Sequence, residues 1–277
     1  MRIVFKLLPS LLLMLSLSWV GYAQSLESVK RQMRKKERPQ KAFPDFFGFQ
    51  YRPIFPMNAF GAGPVEISGR DDVHNAVVTQ NFSFSAGGVV RIGITPRLAI
   101  ETGINFTRRN YQTDYFVPDP IAWDFPDSTL SATTFIRNIS YDIPVNLLVY
   151  VKVNEIVYLN ASFGNSFLFF PTNTGTQTFT LPYNFLTETE KRGWMQLALN
   201  ANTGAEFRTE KNGFFYVGAS FHRPFSPLYN VRTTYTYIND PNPGLGLLTG
   251  NFFSLDLKYF FPLVQSKGQP VKAGLID

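Results

Sequence analysis

From Asn81 to Thr95 the chain alternates residue by residue. Phe82, Phe84, Ala86, Gly88, Val90, Ile92 and Ile94 fall on one face, and Asn81, Ser83, Ser85, Gly87, Val89, Arg91 and Gly93 on the other. A period of two puts successive side chains on opposite faces of an extended chain, so the segment is a strand with one apolar and one small-residue face. The same rhythm predicts strands at about 46–55, 97–111, 135–151, 156–170, 194–208, 214–223 and 251–261. The connections alternate as well. Those near Pro96, at 153–155 and at 209–213 are a few residues long, whereas those at 56–80, 112–134, 171–193 and 224–250 are long.

An even number of strands joined by alternately short and long connections predicts an eight-stranded antiparallel up-and-down transmembrane β-barrel. It would have four long outer loops and three short periplasmic turns. Unstructured connections above about 15 residues are uncommon in a compact soluble domain, but on one rim of such a barrel they are ordinary. A strand of about 13 residues rises roughly 43 Å and, tilted near 40°, spans about 33 Å, more than the roughly 25 Å apolar band of these barrels.

Alternation is shared with soluble eight-stranded barrels that line a ligand cavity with their apolar face, so the second face decides. Facing bulk water it would be rich in Lys and Glu. Instead it carries Asn105, Asn138, Ser140, Asn146, Asn160, Ser162, Gly164, Ala198, Asn200, Asn202, Gly204, Gly218 and Ser220, which suit a narrow interior. The apolar face also sorts by depth. Aliphatic Val90, Ile92, Val145, Leu147, Leu159, Leu197, Val217 and Leu257 sit in mid-strand. Phe82, Phe84, Phe106, Phe167, Phe169, Phe221 and Phe253 lie toward the long connections, and Phe207, Phe215, Tyr259 and Phe261 toward the short ones. Aromatic girdles around an aliphatic belt are what two lipid interfaces select.

The N-terminus adds an export signal. Arg2 and Lys6 precede an apolar run from Leu7 to Val20, and Gly21 and Ala23 supply the small residues a signal peptidase reads, so cleavage is expected after Ala23. The domain reading is therefore a signal peptide at 1–23, a basic periplasmic segment at 24–44, the barrel at 45–262 and a periplasmic tail at 263–277. An exported chain without cysteine must draw its stability from a large closed structure or from burial in lipid. The net charge of +6 is concentrated in Lys30, Arg31, Arg34, Lys35, Lys36, Arg38 and Lys41. It belongs to a tail and not to a nucleic-acid-binding face.

Over 45–262 the chain resembles the small outer-membrane β-barrel domain family of Gram-negative bacteria, related in architecture to OmpA-like barrels. The resemblance is carried by Tyr141-Asp142-Ile143-Pro144-Val145-Asn146-Leu147-Leu148, by Asn202-Thr203-Gly204-Ala205-Glu206-Phe207, and by the aromatic-ended Leu255-Asp256-Leu257-Lys258-Tyr259-Phe260-Phe261. It implies the fold and an outer-membrane location. Pro144 cannot donate to a ladder and a closed barrel has no edge to hide it, so a bulge or local break is expected there.

Within the expected lumen, Arg91, Glu101, Glu206, Asp256 and Lys258 form a predicted structural ion network, with Arg91 and Glu101 directly opposed if the turn centres on Pro96. A sharper reading makes Glu206 and Asp256 an acid/base pair, and another makes Ser220 and His222 a lipid hydrolase's nucleophile and base. Against both, the interior of a barrel this size is filled by side chains and gives substrates poor access. No cofactor or metal is called for: the chain has no cysteine, and His74 and His222, the two histidines, lack ligand spacing. Asp114, Asp119, Asp124 and Asp127 read as a solvated acidic loop before a weak Ca²⁺ site.

The function expected is thus non-enzymatic, in envelope structure or surface recognition. Tyr115, Trp123, Phe125, Phe179, Tyr183, Phe185, Tyr229, Tyr235 and Tyr237 make the outer loops rich in aromatics, and Tyr115, Trp123, Tyr183 and Tyr235 are the candidate recognition residues. Expected partners are outer-membrane lipid and envelope proteins, at the loops or at the basic N-terminal segment. The alternative is an accessory part of a transport or secretion machine that docks through that segment.

Overall fold

The computed structural model describes residues 46–55, 63–95, 97–118, 129–180, 182–209 and 213–261. The expected signal peptide (1–23), basic segment (24–44) and tail (263–277), with Asp119, Trp123, Asp124, Phe125 and Asp127, lie outside the described residues. Among the described residues thirteen strands form where the alternation predicts eight. They are β1 (Phe46–Phe55), β2 (Val65–Ser68), β3 (Asn75–Gly93), β4 (Leu98–Pro118), β5 (Thr129–Lys152), β6 (Val157–Phe169) and β7 (Thr174–Thr180). There follow β8 (Tyr183–Lys191), β9 (Met195–Arg208), β10 (Phe214–Pro224), β11 (Tyr229–Tyr237), β12 (Asp240–Leu248) and β13 (Phe252–Phe260).

All pairings are antiparallel. A nine-stranded sheet runs β1-β13-β10-β9-β6-β5-β4-β3-β2, and β1 pairs a second time with β3, so the hydrogen bonding closes on itself. The short connections are fixed by local side chains. Thr95 Oγ1 accepts the N–H groups of Arg97 and Leu98, Asn154 Oδ1 accepts those of Ile156 and Val157, and Thr209 Oγ1 donates to the carbonyl of Gly213. Side-chain bonds to the backbone of the turn are why Thr and Asn are selected there. Pro144 produces the expected break: β4 and β5 pair at Thr102↔Val145 and at Asn105↔Asp142, but not between, while the register is unchanged. On its other side Pro144 stays paired with Ser166 of β6.

Two glycines are required by close approach. Gly204 and Gly218 are register partners on β9 and β10, and the Tyr216 ring lies over both. A Cβ on Gly218 would fall 2.1 Å from the Tyr216 hydroxyl oxygen. The bare strand pair therefore makes room for a large inward-facing ring.

Where they are described, the long connections are strands and not the open loops expected of them. β3, β4 and β5 continue past the closed ring, and the other connections fold into β2 and a four-stranded sheet of order β12-β11-β8-β7. β7 lies against β5 and β12 against β2, where Gly69 and Gly244 form an isolated bridge. The two layers enclose a core of Ile67, Ala76, Val78, Tyr115, Val117, Leu130, Tyr183, Phe185, Tyr229, Val231 and Tyr235. We call this unit the cap. Connections this long are ordered because each carries its own apolar face and can bury it against the others, which offsets the entropy of fixing the chain.

The polarity of the alternation inverts along single strands. In the ring half of β5 the inward residues are Asn138, Ser140, Asp142 and Asn146, while Tyr141, Val145, Leu147 and Val149 are exposed. In its cap half Leu130 and Ile136 are buried, and Thr129, Ser131 and Thr133 face out. β4 does the same, with Asn105 and Thr107 inside the ring but Tyr115 and Val117 inside the cap. β3 makes the transition through a bulge: Asn81 pairs with Asn110 and Phe84 with Arg108, so β3 carries one residue more than β4. The inward set switches there from Ala76, Val78 and Gln80 to Ser83, Ser85 and Val89. Ser83 Oγ donates to the Asn81 carbonyl at 2.8 Å and accepts the Asn110 amide at 3.0 Å, and Asn110 Nδ2 donates to the Phe82 carbonyl, so the bulge leaves few groups unpaired.

Candidate functional site

Inside the ring, near the short turns, Arg91 is the hub. Its Nη2 lies 2.8 Å from Glu101 Oε2 and its Nη1 2.6 Å from Glu206 Oε2. Lys258 Nζ pairs with the other oxygen of Glu101, and Arg208 Nε lies 2.5 Å from Glu206 Oε1. The Arg91 guanidinium also stacks 4.2 Å from the Phe260 ring centroid. The predicted network is therefore assembled for Arg91, Glu101, Glu206 and Lys258. Asp256 stands apart, taking hydrogen bonds from Asn202 Nδ2, Ser220 Oγ and Ser254 Oγ. Buried charges cost several kcal/mol each unless paired, which explains why both oxygens of each glutamate are engaged.

A second level of charge, absent from the sequence reading, lies toward the cap. Arg52 Nη2 pairs with Asp142 Oδ2 at 3.1 Å, and Arg109 is buried without a carboxylate among the described residues. The inward parity of all three was legible: Arg52 follows Gly48 and Gln50, Arg109 follows Asn105 and Thr107, and Asp142 follows Asn138 and Ser140. Arg52, Arg91, Arg109, Arg208 and Lys258 face Glu101, Asp142, Glu206 and Asp256, so the described interior holds one positive charge in excess. A void between Arg52, Glu101, Asn146, Asn200, His222 and Asp256 holds about 20 Å³, room for one water.

Glu206 is bound by Arg91 and Arg208, and Asp256 by the neutral donors Ser220 of β10 and Asn202 of β9. Ser220 Oγ donates to Asp256 Oδ2 at 2.6 Å. His222 Nδ1 lies 2.7 Å from Asn200 Oδ1, and its ring stacks on Phe252 at 4.6 Å. Serine and histidine thus take different partners.

The candidate recognition aromatics are placed differently from the sequence expectation. Tyr115, Tyr183 and Tyr235, with Phe185 and Tyr229, are buried in the cap core, because the segments that carry them pair as strands and turn those faces toward one another. Tyr115 donates its hydroxyl to the Leu186 carbonyl at 2.7 Å, and Tyr183 stacks on Tyr235. Burial and the Thr187 bond hold the Tyr115 phenol at about 12, with burial, which raises it, the stronger influence. Among the described members of that set, Phe179 is exposed, at 64%, and Tyr237 is partly buried. Asp114, expected in a solvated acidic loop, accepts from Gln112 and Thr133.

His74, expected in a loop, is buried between β2–β3 and β11, with Nε2 3.4 Å from Thr233 Oγ1 and its ring beside Tyr115 and Tyr235. Burial lowers its pKa below 6.5, partly offset by a hydrogen bond with Asn242.

The outer face of the four-stranded sheet carries a groove of about 910 Å³. Register places Gly175, Glu188, Arg232 and Leu245 in one row across β7, β8, β11 and β12, and Glu190, Asn230 and Leu247 in the next. Two carboxylates and a guanidinium thus flank a wall of exposed leucines. This mixture can orient a polar group at one side while burying apolar area at the other.

No protein-family model and no curated protein sequence matches the chain. Among solved structures, the outer membrane protein OprG from Pseudomonas aeruginosa is similar over 80% of this chain and 98% of its own, at 9% identity and a TM-score of 0.45. The outer membrane protease OmpT from Escherichia coli is similar over 82% of this chain and 99% of its own, at 10% identity and a TM-score of 0.31. At that distance neither carries an assignment.

Proposed function

We propose that the closed ring is an eight-stranded transmembrane β-barrel of a bacterial outer membrane, and that its function is recognition at the cell surface through the cap. The inversion of polarity along β4 and β5 carries this reading. One strand cannot bury small polar residues and expose Val and Leu at one end, then do the reverse at the other, in a single solvent. The ring half meets hydrocarbon and the cap half meets water.

Aromatic chains support the placement of the two boundaries. Phe47, Phe49, Phe261, Tyr259 and Phe215 touch in succession near the short turns, and Tyr51, Phe84, Phe106 and Tyr141 do so nearer the cap. The ion pairs and inward side chains that fill the interior argue against passage of solutes through the ring. A recognition role follows for the surface that remains, the groove on the outer sheet with Glu188, Glu190, Arg232, Leu245 and Leu247.

Cell fractionation with a gel-mobility comparison of unheated and boiled samples tests the membrane reading. Recovery in the outer membrane with a heat-modifiable band is expected, and recovery in the aqueous fraction would overturn it. Planar bilayers containing the protein should stay silent to ions. Arg232→Glu with Leu245→Ser should abolish surface binding by intact cells while leaving the heat-modifiable band; unchanged binding would remove the groove from the recognition surface.

A further inference from the structure

Arg109 projects from β4 at the level where the polar interior of the ring meets the apolar cap, and it is 1% exposed. Its Nη1 donates to Ser140 Oγ at 2.7 Å, and its guanidinium faces the Phe252 ring at 5.5 Å. Tyr111 and Tyr229 lie beside the same guanidinium. Asn138 stands opposite Arg109 in the β4–β5 register, and its Oδ1 is already taken by the Thr189 hydroxyl.

Donors outnumber acceptors here, and no acceptor among the described neighbours carries a negative charge. Arg109 Nε, Asn138 Nδ2 and the Tyr111 hydroxyl are buried without a hydrogen-bond partner, and the Tyr229 hydroxyl takes a bond from Arg109 while its own proton has no acceptor beside it. Guanidinium and amide N–H groups can only donate, so they cannot satisfy one another, and a tyrosine hydroxyl that accepts from one of them still has its own proton to place. A water molecule would accept two bonds but would add two donors of its own and no charge. An anion accepts from all sides and cancels the positive charge that the described interior holds in excess.

We propose that Arg109, Asn138, Tyr111 and Tyr229 bind one small anion, a halide, with chloride as the natural occupant. The enclosure by nearly inaccessible side chains selects a monatomic ion. The single excess charge selects a monovalent one. Arg109, Tyr111 and Asn138 belong to strands of the ring and Tyr229 to β11 of the outer sheet, so the ion ties cap to ring. It converts a buried unpaired cation, which would destabilise this junction, into a neutral joint.

Diffraction from crystals of the full protein grown in bromide, read by anomalous scattering, tests the site directly. An anomalous peak within hydrogen-bonding reach of Arg109 Nε is expected. In parallel, the unfolding midpoint in detergent should be higher in sodium chloride than in sodium gluconate of equal ionic strength, by roughly 5 °C. Arg109→Met should lose that difference. No bromide peak at Arg109, or a wild-type midpoint indifferent to chloride, overturns the proposal, and either result is readable even if Arg109→Met fails to assemble.

Discussion

Arg91 on β3 and Glu101 on β4 stand directly opposite each other across the first short turn, and the guanidinium holds the carboxylate at 2.8 Å. The same arginine reaches Glu206 from the far side of the ring, so one side chain fastens β3 to both β4 and β9. Arg91→Met leaves two buried carboxylates with one cation each and is expected to cost about 3 kcal/mol in a urea unfolding titration. Combined with Glu101→Gln it should cost less than the sum of the two single changes, by about 1 kcal/mol or more. Simple additivity would show that the pair does not act as a unit.

Ser83 mends the bulge at which β3 passes from ring to cap, through one bond given to the Asn81 carbonyl and one taken from the Asn110 amide. Ser83→Ala should destabilise by about 1–3 kcal/mol. Hydrogen exchange should locate the damage, with the Asn110 amide losing protection while amides near the short turns keep theirs. Uniform loss throughout the ring would contradict a local role.

Ile238, at the tip of the β11–β12 hairpin, has φ 55°, a left-handed conformation that costs a β-branched residue about 1–2 kcal/mol. Ile238→Asn should therefore stabilise the hairpin by about 1 kcal/mol, read as slower amide exchange in β11 and β12. Faster exchange would mean that the exposed isoleucine is held by contacts that outweigh its strain.

Tyr115 sits in the cap core with its ring against Phe185 and its hydroxyl on the Leu186 carbonyl. Tyr115→Ala should cost about 3–5 kcal/mol locally. Limited proteolysis of protein in lipid vesicles should then cut within the cap segments, while the protected ring fragment survives. If the substituted cap resists protease as the original does, the cap has no cooperative core of its own.

His74 gives the cap an expected acid sensitivity. Its folded pKa is depressed below 6.5 by burial, so the unfolded chain binds the proton more readily. Stability is then complete above about 6.5 and falls as the pH drops from there toward the folded pKa, because protonation favours the open state. The groups facing it, Tyr115, Tyr235, Thr233 and Asn242, supply no negative charge to hold the imidazolium. Protease protection of the cap should weaken below pH 6.5 in the unaltered protein and lose that dependence in His74→Gln. Equal pH profiles would remove His74 as the cause.

The alternation of Phe82 to Ile94 against Asn81 to Gly93 was enough to place the strands of the ring, their faces and the short turns. Side-chain direction has a period of two whatever the strand packs against. The same local logic placed Arg91 opposite Glu101 and foresaw the interrupted ladder at Pro144, since a missing amide hydrogen is a property of the residue alone.

Everything beyond the bulge was decided by tertiary structure. Tyr115, Tyr183 and Tyr235 looked like exposed loop aromatics because each lies in a segment whose apolar face has no local partner. Only the meeting of β4, β8 and β11 in space supplies one. The extra residue at 81–84 shifts the parity of β3, so a pattern read upward from the ring assigns the wrong face to Ala76 and Val78. Arg109 repeats the lesson. Its inward direction is written in the sequence, but whether a carboxylate stands opposite an inward arginine is settled by which strands the closed ring brings face to face.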